Sequence, residues 1–246
     1  MTAETERIDE KQRPVLSENL AKPASGVFPR GPERSPVIFD ISPPITPSLA
    51  VWPGDTPPSR EVLLDIAGGA TVTLSTLRAT AHLGAHADAP SHCCAGAPSI
   101  DERNLDLYMG PCQVIRVAAR PRTRIGPGDL DAPVRAPRVL FATGTYPDPT
   151  RFREDFAALE PALISDLAGK GVRLVGIDTP SVDLYDSRDL PSHQAFLSHD
   201  MAILEGLVLA GVPEGLYELV ALPLRLAGFD ASPVRAILRE LPSTRE

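Results

Sequence analysis

Apolar positions along the chain come mostly in runs of strand length, separated by Pro- and Gly-rich breaks. Val37 to Ile41 is the first such run, stopped by Ser42-Pro43-Pro44. The proline-rich stretch Ile45 to Pro58, with its Pro53-Gly54 turn, reads as a loop long enough to shape a site. Glu61 to Ile66 and Thr71 to Thr80 are two further strands, and Gly68-Gly69 between them predicts an antiparallel hairpin. Cys112 to Val117 and Val139 to Ala142 are apolar strands, the second followed by a turn at Gly144. Pro161 then suits the first position of a helix over Ala162 to Ala168 that ends at Gly169 to Gly171. Val172 to Ile177 returns as a strand, so this strand–helix–strand run predicts a crossover and parallel pairing. Beyond it, Ser198 predicts the cap of a helix running to about Leu209 and closed by Gly211 and Pro213. Tyr217 to Leu222 reads as a strand, and Ser232-Pro233 as the start of a short last helix to about Leu241. The fold class is α/β, a single mixed-sheet domain with hairpin and crossover connections. It spans residues 35–246, after a polar, Pro-rich extension over 1–34 that is expected to be mobile.

Composition adjusts this picture in three ways. With 246 residues, 43% of them apolar, the chain suffices for one packed core. Its 24 basic against 32 acidic residues give a net charge of −8, which argues against a nucleic-acid surface. No run of 18 apolar residues predicts a membrane span, and the acidic start fits neither a secretory nor a transit signal. Cys93, Cys94 and Cys112 are an odd set, and adjacent cysteines cannot close a relaxed disulfide. A reduced, cytoplasmic setting is the expectation, with Cys93 and Cys94 as inert buried thiols.

The candidate chemistry lies in the histidines. Only five occur, and His82, His86 and His92 share one eleven-residue window with Asp88. Imidazole and carboxylate are the usual ligands of zinc-like ions where thiolates are absent. Gly84 and Pro90 argue against a helix there. In an extended segment His86 and Asp88 share a face, and Gly84 offers the backbone freedom to turn His82 inward. His92 is left beyond Pro90. Glu205, expected on the apolar helix after Ser198, requires a cation or a strong donor such as Arg. His193, placed before that helix, is free to fold toward Glu205, whereas His199 reads as structural. Trp52 is either a core residue or a flat wall of a pocket. Asp178 ends a buried strand, either behind a site or capping the Thr179-Pro180 loop.

The motif His82-x-Gly84-x-His86-x-Asp88-x-Pro90-x-His92 resembles the signature of the cyclase-like metal-dependent hydrolases, in which Thr is common where this chain has Ala85. Trp52-Pro53-Gly54-Asp55, Gly176 to Asp183, His193 with Glu205, and Ala221 to Gly228 are similar to the kynurenine formamidases within that family. Cys93-Cys94 departs from their pattern, where an aromatic residue is common. The resemblance covers roughly residues 36–241 and implies a swivelling β/α/β fold and a homodimer. It also implies two zinc ions, with manganese compatible with the same donors. His82, His86 and Asp88 would hold one ion, and Asp88, His193 and Glu205 the other. His92 would transfer a proton and Trp52 would line the substrate pocket. The implied reaction is attack of metal-activated hydroxide on the formyl carbon of N-formyl-L-kynurenine, giving L-kynurenine and formate. Two alternatives are a family member opening a cyclic amide such as isatin, and a metal-binding protein without catalysis. His92 argues against the latter, since a closed structural site needs no extra proton carrier.

Overall fold

The computed structural model describes residues 36–241, so the extension expected over 1–34 lies outside the described residues. In chain order the strands are β1 (Ile38–Asp40), β2 (Ser59–Leu64), β3 (Leu74–Arg78), β4 (His86–Asp88), β5 (Met109–Arg116), β6 (Arg124–Ile125), β7 (Arg138–Ala142) and β8 (Ala158–Leu159). Helix α1 (Pro161–Gly169), β9 (Leu174–Ile177), α2 (Pro191–Ser198), β10 (Ala202–Glu205), β11 (Gly215–Val220), β12 (Ala231–Pro233) and β13 (Ile237–Glu240) follow. Nine of the strands form one mixed sheet in the order β1-β13-β11-β5-β7-β9-β10-β4-β12. Its centre, β5-β7-β9-β10, is parallel, and antiparallel strands flank it on both sides. The hairpin β2–β3 and the short parallel pair β6–β8 stand apart as two-stranded sheets.

The central strands are apolar throughout because both sheet faces are covered. Along β7, Val139 and Phe141 point to the side that holds Leu163, Ile164 and Leu167 of α1 and Phe196 of α2. Leu140 and Ala142 point to the opposite core with Leu204, Tyr217 and Leu219. Each of the three α1 side chains is fully buried, which contributes about 1.5–3 kcal/mol apiece. Pro161 opens α1 as its ring and missing N–H allow, and α1 delivers the chain from β8 to β9, which lies parallel to β7. Among the described residues no helix is long and apolar enough to cross a membrane.

Two expected helices are replaced by strands. The helix in this region, α2, spans Pro191–Ser198, so Ser198 ends it rather than starting one. Asp200, at φ 50, breaks the chain direction, and Ala202–Glu205 form β10 between β9 and β4. Glu205 therefore sits on a strand, and His193 lies in the first turn of a helix rather than before one. The reason is burial on both faces: Ala202-Ile203-Leu204 lacks the alternation that marks a half-exposed strand, so a buried strand and a helix are indistinguishable by period. The expected last helix is likewise replaced by β12 and β13. β13 hydrogen-bonds to both β1 and β11, and that pairing on two edges outweighs local helix preference.

Candidate metal centre

The site lies where the carboxyl ends of β7, β9 and β10 meet the start of β4, the end of a parallel sheet that commonly carries function. β4 runs antiparallel to β10 with Glu205 opposite His86 and Ile203 opposite Asp88. His86, Asp88 and Glu205 therefore project from one sheet face, while Ala87 and Leu204 enter the core behind it. His82 reaches the same point because Gly84 adopts φ +57 and folds the preceding residues back over β4. Gly206, at φ +65, turns the chain away directly after Glu205 so closely that any Cβ there would overlap the Gly84 carbonyl. His193 enters from α2, whose first turn is aimed at the sheet by Leu190 in a left-handed conformation (φ 44, ψ 54).

The distances are those of one cluster. His82 Nδ1 is 3.0 Å from Asp88 Oδ1, His86 Nε2 is 3.5 Å from the same oxygen, and His193 Nε2 is 3.4 Å from Asp88 Oδ2. Glu205 lies 3.3 Å from His86 Nε2 and 3.6 Å from His193 Nε2. One ligand atom from each of His82, His86 and Asp88 falls within a common 4.8 Å, as does one from each of Asp88, His92 and His193. His92 follows Pro90 on a 3-10 turn, its ring 4.4 Å from that of His82 and 5.7 Å from that of His193. His199 is elsewhere, its Nε2 3.0 Å from Ser165 Oγ on the surface.

Hydrogen bonds behind the cluster fix which imidazole nitrogen faces inward. The Gly84 carbonyl accepts from His86 Nδ1 at 2.9 Å, and Asp183 Oδ2 accepts from His193 Nδ1 at 2.9 Å. Both rings therefore turn Nε2 toward the carboxylates, the nitrogen through which they would bind an ion. His82 stands between two carboxylates, with Asp230 Oδ2 3.0 Å from its Nε2. The same Asp230 oxygen is 3.5 Å from His92 Nδ1.

Electrostatics make this a cation site. Asp88 and Glu205 are buried, and among the described residues the basic groups within ion-pair reach of them are imidazoles. Both Asp88 oxygens are buried without an aligned hydrogen-bond donor. Burial by itself would raise the Asp88 pKa, but the imidazoles of His193, His82 and His86 hold it well below the carboxylate range. Burial opposes a charge on His82, yet Asp88 and Asp230 outweigh it and lift its pKa to about 9. His193 is raised for the same reason, by Asp183, Asp88 and Glu205 against its own burial. The donor set of three imidazoles and two carboxylates fits a divalent ion.

Residues 178–183, just after β9, brace three walls of the site. Asp178 accepts from the Thr143 amide (3.0 Å), the Thr143 hydroxyl (2.6 Å) and the Gly144 amide (2.9 Å). It caps the turn after β7 rather than the Thr179-Pro180 loop, and its burial raises its pKa. The Val182 amide donates to Glu205 Oε1 at 2.7 Å. Asp183, fully buried, also accepts from Arg124 Nη1 and from the Ser192 and His193 amides; burial would raise its pKa, but the His193 ring, Arg124 and the His193 amide hold it down at about 2. Asp183 and Asp230 received no role from the sequence. No spacing ties either to the histidines, since Asp230 is 148 residues from His82 in the chain.

The cluster forms the floor of a cavity of about 540 Å³. Trp52 lines it, packed against Tyr185 at 5.2 Å and Phe152 at 5.5 Å between ring centroids. Among the described residues the lining contains Asp55, Asp178, Glu205 and four histidines but neither Lys nor Arg. Cys93 and Cys94 are half-buried rather than buried and lie outside this lining, and burial pushes the Cys93 thiol up, away from reactivity.

Residues 39–184 match the family model described as "Putative cyclase", a span that includes Trp52 and the His82–His92 motif but ends before His193. A solved structure described as a potential metal-dependent hydrolase with cyclase activity is 30% identical, with a TM-score of 0.72 over 84% of this chain and 99% of that one. A solved structure described as a "predicted metal-dependent hydrolase from Bacillus stearothermophilus", also 30% identical, aligns with a TM-score of 0.71 over 85% of this chain and all of its own length. Isatin hydrolase A from Ralstonia solanacearum shares the fold at 21% identity, with a TM-score of 0.71 over 84% and 92% of the two chains. The chain belongs to the cyclase family.

Proposed function

We propose that the protein is a metal-dependent hydrolase that cleaves N-formyl-L-kynurenine to L-kynurenine and formate. The observation that carries the reading is the buried Asp88 carboxylate without an aligned donor, faced by imidazoles at the floor of an aromatic cavity. The 30% identical structures described as a potential and a predicted metal-dependent hydrolase support the reaction class. His82, His86 and Asp88 hold one ion and Asp88, His193 and Glu205 a second, with zinc suited to these donors and manganese compatible. Such an ion, when bound, makes hydroxide available near neutral pH and polarises an amide carbonyl.

The remaining work belongs to side chains. Trp52, with Tyr185 and Phe152 behind it, offers a flat face on which the substrate's aromatic ring stacks. Asp55, at the rim, faces the substrate's ammonium group. The leaving group is an arylamine, which must gain a proton as the formyl C–N bond breaks. His92 is outside both ligand sets and exposed to the cavity, and it delivers that proton to the departing nitrogen. Asp230 keeps the His92 ring turned toward the cluster.

One feature favours a second reading, the opening of a neutral cyclic amide such as isatin. Among the described residues the cavity lining holds no Lys or Arg to receive the α-carboxylate of an amino-acid substrate. The test is turnover of N-formyl-L-kynurenine and of isatin by the zinc-loaded protein, each followed by absorbance. Preference for the formamide supports the proposal, and preference for isatin replaces it with the second reading.

A further inference from the structure

Leu190 is held in a backbone conformation that does not suit a leucine. Three non-glycine residues among those described have positive φ, and two of them, Arg122 and Asp200, lie on exposed turns. Leu190 is half-buried instead, at φ 44 and ψ 54, and it lines the cavity. In the left-handed region the Cβ of an L residue crowds the following carbonyl oxygen. Pro191 comes next, and a following proline pushes a residue toward extended backbone instead. Glycine would sit here without a Cβ to crowd, and Asn would cap the helix as well.

Nothing in the described fold offsets this strain. The side chain makes no cap hydrogen bond to α2. The Leu190 carbonyl accepts from the Gln194 amide at 3.0 Å, which any residue at this position could do. Leu190 belongs to neither hydrophobic core cluster, although Phe196 and Ala195 of the helix it opens pack in one of them. Strain of this kind persists at sites that clamp a ligand, and the cavity is where this side chain has work left to do.

The neighbours of Leu190 in the chain indicate the ligand. Tyr185, earlier in the same segment, packs against Trp52 at 5.2 Å between ring centroids. His193, in the first turn of α2, stands 3.4 Å from Asp88 in the cluster. The segment thus runs from the aromatic wall to the metal centre, as would a substrate stacked on Trp52 with its amide at the ions.

We infer that Leu190 is a substrate-contact residue whose side chain closes the cavity against the edge of that ring and selects a single ring over a fused pair. The inference rests on the reading that the cavity takes an aromatic amide, and it holds for the formamide and for isatin alike.

Trp52 is the only tryptophan of the chain, so its fluorescence reports ligands in the cavity without any turnover. The probes are formanilide, with one ring, and N-(2-naphthyl)formamide, with two, titrated into the zinc-loaded full chain. Leu190→Gly and Leu190→Ala should each bind formanilide about tenfold more weakly, the factor that the contact of one half-buried leucine supplies. Both should bind the naphthyl compound at least as tightly as the unaltered protein does. Leu190→Met, which restores an apolar side chain of similar length, should recover formanilide binding. Zinc affinity by chelator competition should stay unchanged, which separates a substrate contact from a residue that merely positions His193. The urea midpoint of Leu190→Gly should exceed that of Leu190→Ala, the reverse of the usual order, because only alanine keeps the left-handed strain.

Unaltered formanilide binding in the Gly and Ala variants overturns the inference, as does a wild type whose Trp52 fluorescence does not respond to formanilide. Weaker formanilide binding that comes with weaker zinc binding overturns it too, since Leu190 would then act through His193. A wild type that binds formanilide yet hydrolyses neither N-formyl-L-kynurenine nor isatin removes the proposed reaction, while the ratio of the two probes still decides the role of Leu190.

Discussion

Replacing Asp183 by Asn separates the support of the metal cluster from the cluster itself. The wild-type carboxylate touches no proposed ion, yet all its neighbours donate: Arg124 Nη1 at 2.8 Å, His193 Nδ1 at 2.9 Å, and the amides of Ser192 and His193 at 3.1 Å. Asn retains one acceptor oxygen and turns an NH2 group toward donors, so at least two of these bonds are lost. Hydrogen bonds to charged groups are worth about 1.5–3 kcal/mol each. The Arg124 side chain is 21% exposed, so water offsets part of that loss, and we expect about 3 kcal/mol. Urea unfolding at pH 7 should show this as a lower midpoint with unchanged slope. Releasing the His193 ring should also weaken metal binding by about 10- to 100-fold, read by chelator competition. Acid adds a further signature. The Asp183 pKa is depressed from 3.8 to about 2, so its contribution is full above pH 3.8 and fades as pH falls through about 2. That amounts to about 2 kcal/mol, and the gap between wild type and variant should narrow by this much on acidification. Equal urea midpoints and equal chelator competition would refute the reasoning.

Further substitutions address other parts of the account. His92→Ala should retain metal, measured by mass spectrometry of the metals, while losing most turnover; near-normal kcat would remove its role as proton carrier. Asp230→Asn should lower kcat more than it raises KM, since its carboxylate orients His82 and His92 rather than the substrate. Equal effects on both, or none, would count against that. Gly206→Ala should destabilise by more than 3 kcal/mol in urea, because the methyl meets the Gly84 carbonyl as well as a left-handed φ. Gly144→Ala, at the same φ of +65 with open space around it, should cost only about 1–2 kcal/mol. A smaller loss for Gly206→Ala than for Gly144→Ala would contradict the close approach of these two loops.

The sequence was most legible where local rules and tertiary pairing agree. Pro161 and the glycines after Ala168 bound α1, and the apolar runs on either side of it are neighbouring parallel strands. The two-residue spacing of His86 and Asp88 reads as a shared face because β4 is extended, and Gly84 supplies the turn that its flexibility permits. Glu205 was recognisable as a costly carboxylate, but not as a strand residue. Ile203 and Leu204 are buried on opposite faces of β10, and continuous apolarity carries no period. β13 was misread because its two hydrogen-bonded neighbours, β1 and β11, lie at opposite ends of the chain. Asp183 and Asp230 were silent for the same reason. Asp183 meets the His193 ring and Asp230 the rings of His82 and His92, and only the fold brings these acids and imidazoles together. The acidic net charge takes on meaning late: Asp88, Asp183 and Glu205 are buried against imidazoles rather than facing solvent, and half-exposed Asp230 stands beside His82 and His92.

The central claim is that the imidazole–carboxylate cluster holds a divalent ion required for amide hydrolysis. The most direct measurement follows zinc bound per chain and hydrolysis of N-formyl-L-kynurenine together, as chelated protein is titrated with zinc. The account predicts no turnover in the chelated protein, a rise in activity with bound zinc, and a plateau at two ions per chain. Full turnover by metal-free protein, or zinc uptake undiminished in Asp88→Asn, would contradict it.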